Sequence, residues 1–245
     1  MSADELPFAE PPASLDARLR ALAAGLRPAE VLVRAGGGLW ADTGVPGLRC
    51  KPLLRDARER RQTLLARYAP GTVHPAHLHD DLEEVFVLEG DAVVQGRAMG
   101  PGDFCAAVGG TVHRPVTSRD GALFLVSHSP KDAPTARPDE GERGVTFAMA
   151  RDAAWRAGAA TGVRVRDLYR DEALDLATLV LELDAGATLT ADGFAWQAYV
   201  IRGAATLAGA ALGAGDFRYA AGGGVLTASA PCAVLVVDAP ARWNP

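Results

Sequence analysis

The chain contains two copies of one sequence pattern, and this duplication constrains its fold more than any other feature. Five landmarks of the first copy recur 115 positions later without a gap: Trp40, Gly47, Arg55-Asp56, Thr63-Leu64 and Gly71 match Trp155, Gly162, Arg170-Asp171, Thr178-Leu179 and Gly186. Further along, Gly90 and Gly102-Asp103-Phe104 match Gly203 and Gly215-Asp216-Phe217 at an offset of 113, because the second copy has lost two residues. Self-similarity of this length predicts two similar domains.

Short apolar runs interrupted by Gly, Pro and Asp predict an all-β fold after residue 30. Before it, four leucines at helical spacing in residues 14–26 predict a short helix, so residues 1–30 are interpreted as an N-terminal helical extension. The segment 129–144, SPKDAPTARPDEGERG, is charged and contains three prolines, which is typical of a linker. We therefore expect one domain over residues 31–128 and a second over residues 145–245.

Composition limits the classes of partner. The formal net charge of −5 argues against nucleic acid as a partner, since phosphate binding requires a basic surface. No stretch is long and apolar enough for a membrane helix, and the acidic N-terminus does not resemble a secretory signal. We expect a cytoplasmic protein whose three cysteines are reduced and buried.

The first copy contains a set of residues with the chemistry of a metal site. His77 and His79 are two residues apart, so on a strand both imidazoles point to the same face. Glu83 begins the next apolar run, and the intervening residues 80–82 have the length of a tight hairpin loop. His113 would add a third imidazole from another strand. The sequence therefore predicts one divalent transition metal per chain, bound by His77, His79, Glu83 and His113, with open positions for other ligands.

Alternatives to these four residues remain in the sequence. Glu84 competes with Glu83, although strand alternation puts the two carboxylates on opposite faces. His74 is interpreted as a surface residue or as a neighbour of the ligands. His128, after an expected strand over residues 122–126, is interpreted as a surface or linker residue. The alternative without a metal is that the four candidate ligands are structural polar residues. It is disfavoured because buried polar groups without partners are costly.

The second copy lacks this set. His113 aligns with Leu226, Glu83 with Trp196 and His77 with Asp192, and no histidine occurs after His128. His79 aligns with Phe194 or Asp192, depending on where the two residues were lost. We expect the second domain to be a scaffold, a dimerisation surface or an apolar binding pocket.

The spacing of these residues resembles the motifs of the cupin superfamily. The first cupin motif, G(X)5HXH(X)3,4E(X)6G, is complete over residues 71–90. The second, G(X)5PXG(X)2H(X)3N, is matched by Gly102, Gly110 and His113, with Val108 in place of Pro and Thr117 in place of Asn. These two departures affect turn shape and hydrogen bonding and leave the ligand position intact. The resemblance implies two tandem cupin barrels, that is, double-stranded β-helices.

More narrowly, the chain resembles the ChrR-type cupins. The features that carry this resemblance are a PPASLDARLRALAA helix, a Gly102-Asp103 turn after Pro101, an EExxVLEG strand, and the residues Trp40, Gly47, Lys51, Leu53 and Asp56. The resemblance implies a metal centre, with Fe2+ or Zn2+ favoured and Mn2+ or Ni2+ as alternatives, and a small-molecule ligand. It permits an O2-dependent dioxygenase acting on a small carbonyl or enol substrate.

The alternative is a non-catalytic regulatory or sensing protein related to ChrR-type anti-sigma factors. No His or Cys precedes Cys50, so the zinc module with which such factors bind sigma is missing. For an enzyme, Arg67 or Tyr68 is a candidate to anchor a substrate oxygen, and the sequence does not decide which of them points inward. A homodimer is compatible with either function.

Overall fold

The computed structural model describes residues 30–56, 60–129, 144–191 and 193–245. The predicted N-terminal helix lies outside the described residues, as does most of the predicted linker. The described ranges consist of strands and turns, with a short 3-10 turn at Ala150–Asp152, in agreement with the predicted all-β class. None of their helical turns has the length and apolar character that a membrane crossing requires.

The described residues form 24 strands. Those of the first half are β1 (Glu30–Val33), β2 (Ala41–Asp42), β3 (Leu48–Asp56), β4 (Arg61–Tyr68), β5 (Val73–His74), β6 (His77–Leu78), β7 (Leu82–Gly90), β8 (Ala92–Val94), β9 (Arg97–Met99), β10 (Phe104–Ala107), β11 (Val112–His113), β12 (Val116–Thr117) and β13 (Ala122–Ser129). Those of the second half are β14 (Val145–Ala148), β15 (Arg156–Ala157), β16 (Val163–Asp171), β17 (Leu176–Leu183), β18 (Thr188–Ala191), β19 (Trp196–Arg202), β20 (Ala204–Leu207), β21 (Ala210–Gly213), β22 (Phe217–Ala220), β23 (Gly224–Ala228) and β24 (Cys232–Ala239).

Each half is built around a seven-stranded antiparallel sheet. In the first half the strand order is β14-β10-β7-β13-β4-β3-β2, and in the second it is β1-β22-β19-β24-β17-β16-β15. Each large sheet is accompanied by a four-stranded sheet, β5-β12-β8-β9 or β18-β23-β20-β21, and the first half has an additional pair, β11-β6. The same arrangement of strands in both halves is the structural counterpart of the sequence duplication.

The two halves exchange their outermost strands. Strand β1 lies at the start of the first domain in sequence but pairs with β22 of the second half, while β14 follows the linker and pairs with β10 of the first half. Two aspartates fix the exchanged segments: the Ala35 N–H donates to Asp216 at 2.8 Å, and the Ala150 N–H donates to Asp103 at 2.6 Å. The large sheets therefore cross the domain boundaries expected at residues 31 and 145, and each half is completed by the other.

Both faces of the large sheets are buried near their centres, which explains why central strands such as β13 and β24 are mostly apolar. On β13, Phe124 and Val126 face a core within the first half, whereas Leu123 and Leu125 face a second core shared between the halves. Strand β24 repeats this alternation in the second half, whose own core contains Val234 and Val236. The halves thus pack through the outer faces of their large sheets.

One repeated glycine is required by a close approach of two chain segments. Gly90 is the last residue of β7, and Gly203 directly follows the equivalent strand β19. Both have φ near +80°, a region that L side chains rarely adopt. A Cβ at Gly90 would lie 1.9 Å from the Gly121 carbonyl oxygen, and one at Gly203 would lie 2.1 Å from that of Pro231. The duplication has kept both glycines because no other residue fits.

Candidate metal centre

Three short segments and the large sheet bring the four predicted residues together. His77 on β6 is the direct register partner of His113 on β11. His79 follows β6 and is held by two backbone hydrogen bonds, its N–H to the Thr111 carbonyl at 3.0 Å and its carbonyl to the Gly110 N–H at 2.8 Å. Glu83 lies near the start of β7. One ligand atom from each of the four residues lies within 4.8 Å of the others.

The predicted hairpin between the histidines and Glu83 is wrong. Strand β6 pairs with β11, whereas β7 belongs to the seven-stranded sheet between β10 and β13. Residues 79–81 therefore connect two different sheets and do not form a tight turn between neighbouring strands. The four side chains converge because the small β6-β11 sheet lies opposite the large one.

The imidazole rings of the three histidines lie close to one another. His79 lies 4.5 Å from His113 and 4.8 Å from His77 between ring centroids. The Nδ1 of His77 lies 2.9 Å from the Pro75 carbonyl oxygen, so it carries the proton and leaves Nε2 as the free lone pair. Within the described chain, the Nε2 of His79 and both ring nitrogens of His113 are buried without a hydrogen bond. Buried polar atoms without partners are costly, and a divalent ion would satisfy the Nε2 of His79 and one ring nitrogen of His113. The residues present therefore fit a metal.

The ionisation states suit ligation at neutral pH. Burial lowers the pKa of His113 to about 4, and it also lowers the pKa of His79, so both imidazoles are neutral. Burial would raise the pKa of Glu83, but the four imidazoles of His79, His128, His113 and His77 together hold it well below its ordinary value. Neutral imidazoles and a carboxylate are the forms that bind a metal, and no proton needs to be removed first.

We expect the metal-free protein to lose stability on acidification. Burial, with His77 nearby, lowers the pKa of His74 to about 4, as burial does for His113. Below about pH 6.5 these two histidines take up protons in the unfolded chain, whereas in the folded chain they remain neutral until about pH 4. The free energy of unfolding therefore falls as the pH is lowered from about 6.5 to about 4. Urea unfolding at pH 7.5, 6 and 5 measures this loss. His74→Gln should flatten the slope, and a midpoint constant from pH 7.5 to 5 would contradict the account.

A cavity of about 70 Å³ lies beside the four residues. Its walls are mainly apolar, with Leu48, Leu64, Val85, Val116 and Phe124 among them. Tyr68 also lines it: the ring packs edge-on against Phe124 at 4.9 Å, and the hydroxyl lies 3.3 Å from Nδ1 of His74. Arg67, the next residue in the extended strand β4, points the other way and lies exposed over the Trp40 ring. Of the two candidates between which the sequence did not decide, Tyr68 is the one that faces this cavity, and Arg67 lines a separate groove on the surface.

The two glutamates lie on opposite faces of β7. The Glu83 Oε1 is 3.6 Å from Nε2 of His79. The neighbouring Glu84 is buried on the side of the second half. There burial first, then Asp171 and last the charge of Glu84 raise the pKa of Tyr169 to about 12. We expect Glu83→Gln to weaken metal binding more than tenfold, or by about 1.4 kcal/mol, since an amide replaces a charged ligand. Glu84→Gln should stay within about twofold of the unchanged protein. Isothermal titration with Co2+ compares the two variants, and the reverse ranking would contradict this assignment.

Two further histidines border the site. His74 stacks on His77 with ring centroids 4.3 Å apart, as expected for a neighbour of the ligands. His128 was interpreted as a surface or linker residue, and this was wrong: β13 continues to Ser129, and His128 lies half-buried between Glu83 and Asp81. The alternation of β13 contained the signal, because His128 lies on the same face as Phe124 and Val126 of the inner core.

The second half contains an aromatic cluster in the corresponding place. Trp196, which aligns with Glu83, is fully buried, and its indole N–H donates to the Gly224 carbonyl at 3.0 Å. Its ring packs against Phe194 and Trp243 at 5.8 and 5.1 Å between centroids. Leu226, which aligns with His113, is also fully buried. These side chains fill the interior, so the second half resembles a packed scaffold more than a pocket.

Comparison with known proteins agrees with this architecture. Residues 28–132 match the family model of the ChrR cupin-like domain. The first half of the chain therefore belongs to the cupin superfamily. The family model covers the half that holds the candidate metal site and ends before the second half. No curated protein matches the chain by sequence.

Solved structures share the cupin fold over most of the chain. A candidate dioxygenase from Nostoc punctiforme superposes with a TM-score of 0.74 at 11% identity, covering 91% of this chain and 88% of that one. An oxalate decarboxylase from Lactobacillus farciminis, in complex with formate, gives 0.61 at 13% identity, covering 91% and 89%. The pirin YhhW of Escherichia coli, in complex with nickel(II), gives 0.61 at 16%, covering 86% and 99%. At these identities the likeness concerns the fold.

Proposed function

We propose that this protein is a bicupin, with one barrel in each half and a single mononuclear metal centre held by His77, His79, Glu83 and His113. We propose further that it is an O2-dependent dioxygenase acting on a small carbonyl or enol compound. The observation that carries the proposal is the convergence of unpaired, buried imidazole nitrogens and one carboxylate beside an apolar cavity. Fe2+ and Zn2+ are the favoured ions, with Mn2+ and Ni2+ as alternatives that the same donor set accepts.

A divalent ion at this position would supply Lewis-acid chemistry and, as Fe2+, electrons for the activation of O2. The chain supplies the surroundings. Apolar walls exclude water and strengthen electrostatic interactions with a charged ligand. Burial, and after it the charge of Glu83, raises the pKa of Tyr68, so its hydroxyl remains protonated at neutral pH. Tyr68 and His74 thus place one polar pair in an apolar wall, where it can orient an oxygen of the substrate.

The size of the cavity favours a short aliphatic substrate. An enclosed apolar cavity of about 150 Å³ is known to accommodate benzene. The cavity here, at about 70 Å³, is half that size. Even the shortest β-diketone is at least as large as benzene, so both substrate types considered, β-diketones and aromatic hydroxyketones, would extend into the mouth, and the short β-diketones would do so less. A larger compound would have to leave its bulk outside the mouth.

The proposed activity is tested by metal analysis of protein purified from its native host, followed by O2-uptake assays on the Fe2+-loaded form. We expect uptake with a short β-diketone, slower or no uptake with an aromatic hydroxyketone, and none in His79→Ala. Arg67→Ala is the matched control, because Arg67 lies on the outer face of β4 and should keep full activity. Absence of turnover across both substrate types with the iron-loaded protein would contradict the proposal.

A regulatory or sensing function is the second candidate, favoured by the match to the ChrR cupin-like domain. It requires a tightly held ion with four protein ligands and no exchangeable position, which is the arrangement of structural zinc sites. Isolation with stoichiometric zinc that resists exchange, together with failure of the O2-uptake assay, would favour this function over catalysis.

A further inference from the structure

His128 connects the candidate ligand Glu83 to a second carboxylate. On β13 it is the register partner of Glu83. Its Nε2 lies 3.4 Å from Oε2 of Glu83, and its Nδ1 lies 3.5 Å from Oδ1 of Asp81. The three side chains are at most 14% exposed. An imidazole therefore bridges two carboxylates at the edge of the site.

The two oxygens of Glu83 have different surroundings. Oε1 faces the histidine cluster, 3.6 Å from Nε2 of His79. Oε2 faces His128, which lines the same cavity as His77 and His113. A carboxylate held through one oxygen cannot readily rotate to offer both to an ion. The contact with His128 thus determines how Glu83 meets a metal.

Asp81 in turn anchors His128. Its side chain is only 6% exposed, and it precedes β7 by one residue, so its position is set by the start of that strand. A carboxylate accepts only from a ring nitrogen that carries a proton, so with a proton on each nitrogen His128 donates to both Asp81 and Glu83. The buried Asp81 then orients the imidazole toward Glu83. The order Asp81, His128, Glu83 is therefore a chain of contacts from the edge of the sheet to the candidate metal position.

We propose that Asp81 and His128 are positioning residues that hold Glu83 so that only Oε1 is presented to the metal. Three imidazoles and one carboxylate oxygen occupy four positions of a six-coordinate ion, which leaves two for exogenous ligands. If both carboxylate oxygens of Glu83 bound the ion, only one position would remain for an exogenous ligand. The inference rests on the proposed metal site and not on the proposed reaction, so it can be tested without turnover.

The test is titration of the metal-free full chain with Co2+, followed by visible absorption. We expect His128→Ala to weaken Co2+ binding by about 10- to 100-fold, as is usual when the partner of a metal ligand is removed. The ligand-field bands should also change shape, because the released carboxylate rotates. His128→Gln, which keeps a hydrogen-bond donor, should recover part of both properties. Circular dichroism of each metal-free variant checks that it is folded.

A double-mutant cycle separates positioning from a merely structural role. Asp81→Asn alone should weaken binding and shift the bands, but it should add little in the His128→Ala background, since it acts through His128. Additive effects of the two substitutions would overturn the proposal, as would a His128→Ala spectrum identical to that of the unchanged protein. Complete loss of binding in His128→Ala, equal to that in His77→Ala, would make His128 a ligand and would also overturn it.

Discussion

Substitution of His113 by alanine is expected to remove most of the stabilisation that a metal gives this protein. At a free metal concentration one hundred times the Kd, binding to the folded state alone stabilises by about 2.7 kcal/mol. For a chain of this size that corresponds to about 5–10 °C in Tm. Loss of one of four ligands should raise the Kd at least about a hundredfold, or ~2.7 kcal/mol, so the metal-induced shift nearly disappears.

The quantity to compare is the shift in Tm on adding metal, because His113 is fully buried and its replacement also changes the metal-free protein. His74→Ala is the matched control: His74 borders the same cluster but lies outside the group of four, and this variant should keep most of the shift. A His113→Ala protein that shows the same metal-induced shift as the unchanged chain would remove His113 from the site.

Trp196→Ala is expected to cause the largest loss of stability, about 3–5 kcal/mol, as is typical of a large aromatic residue removed from a core. The Trp196 side chain is fully buried, its N–H is hydrogen-bonded, and two aromatic rings pack against it. Urea unfolding of the metal-free proteins measures the loss. Metal binding should remain at one ion per chain, because the cluster lies in the half without the candidate ligands.

Trp155→Ala provides the comparison for this prediction. Trp155 is 37% exposed and contacts the Arg164 guanidinium at the surface, so its loss should cost about 1 kcal/mol or less. Equal effects of the two substitutions would mean that the interior of the second half is not tightly packed. The second half would then be better interpreted as a binding pocket for a small apolar ligand than as a packed scaffold.

The sequence was sufficient to find the four clustered residues because their spacing is tied to strand geometry. His77 and His79, at a separation of two, reach one cluster although β6 ends at Leu78. Glu83 and Glu84 separate onto opposite faces of β7. The alignment of Glu83 with Trp196 also predicted that the second copy lacks the site. The offset of 115 predicted the repeated sheet order, since equivalent residues occupy equivalent strands.

Other features depend on contacts that local patterns do not contain. The exchange of β1 and β14 pairs segments that are far apart in sequence. The local sequences of β1 (EVLV) and β14 (VTFA) do not indicate which strand each of them pairs with. The prediction of a hairpin at residues 80–82 was wrong because the length of a connection does not show which strands pair, and β6 pairs with β11. His128 was missed because strand β13 continues three residues beyond the expected end, and the choice between Arg67 and Tyr68 needed the register of β4.

The central claim is that one metal ion is bound per chain, between His77, His79, Glu83 and His113. A crystal of the zinc-loaded protein, with anomalous data collected on both sides of the zinc absorption edge, tests it most directly. We expect one anomalous peak per chain at about 2.0–2.2 Å from an atom of each of the four side chains. A peak of similar height in the second half, or no peak within reach of these four residues, would contradict the account.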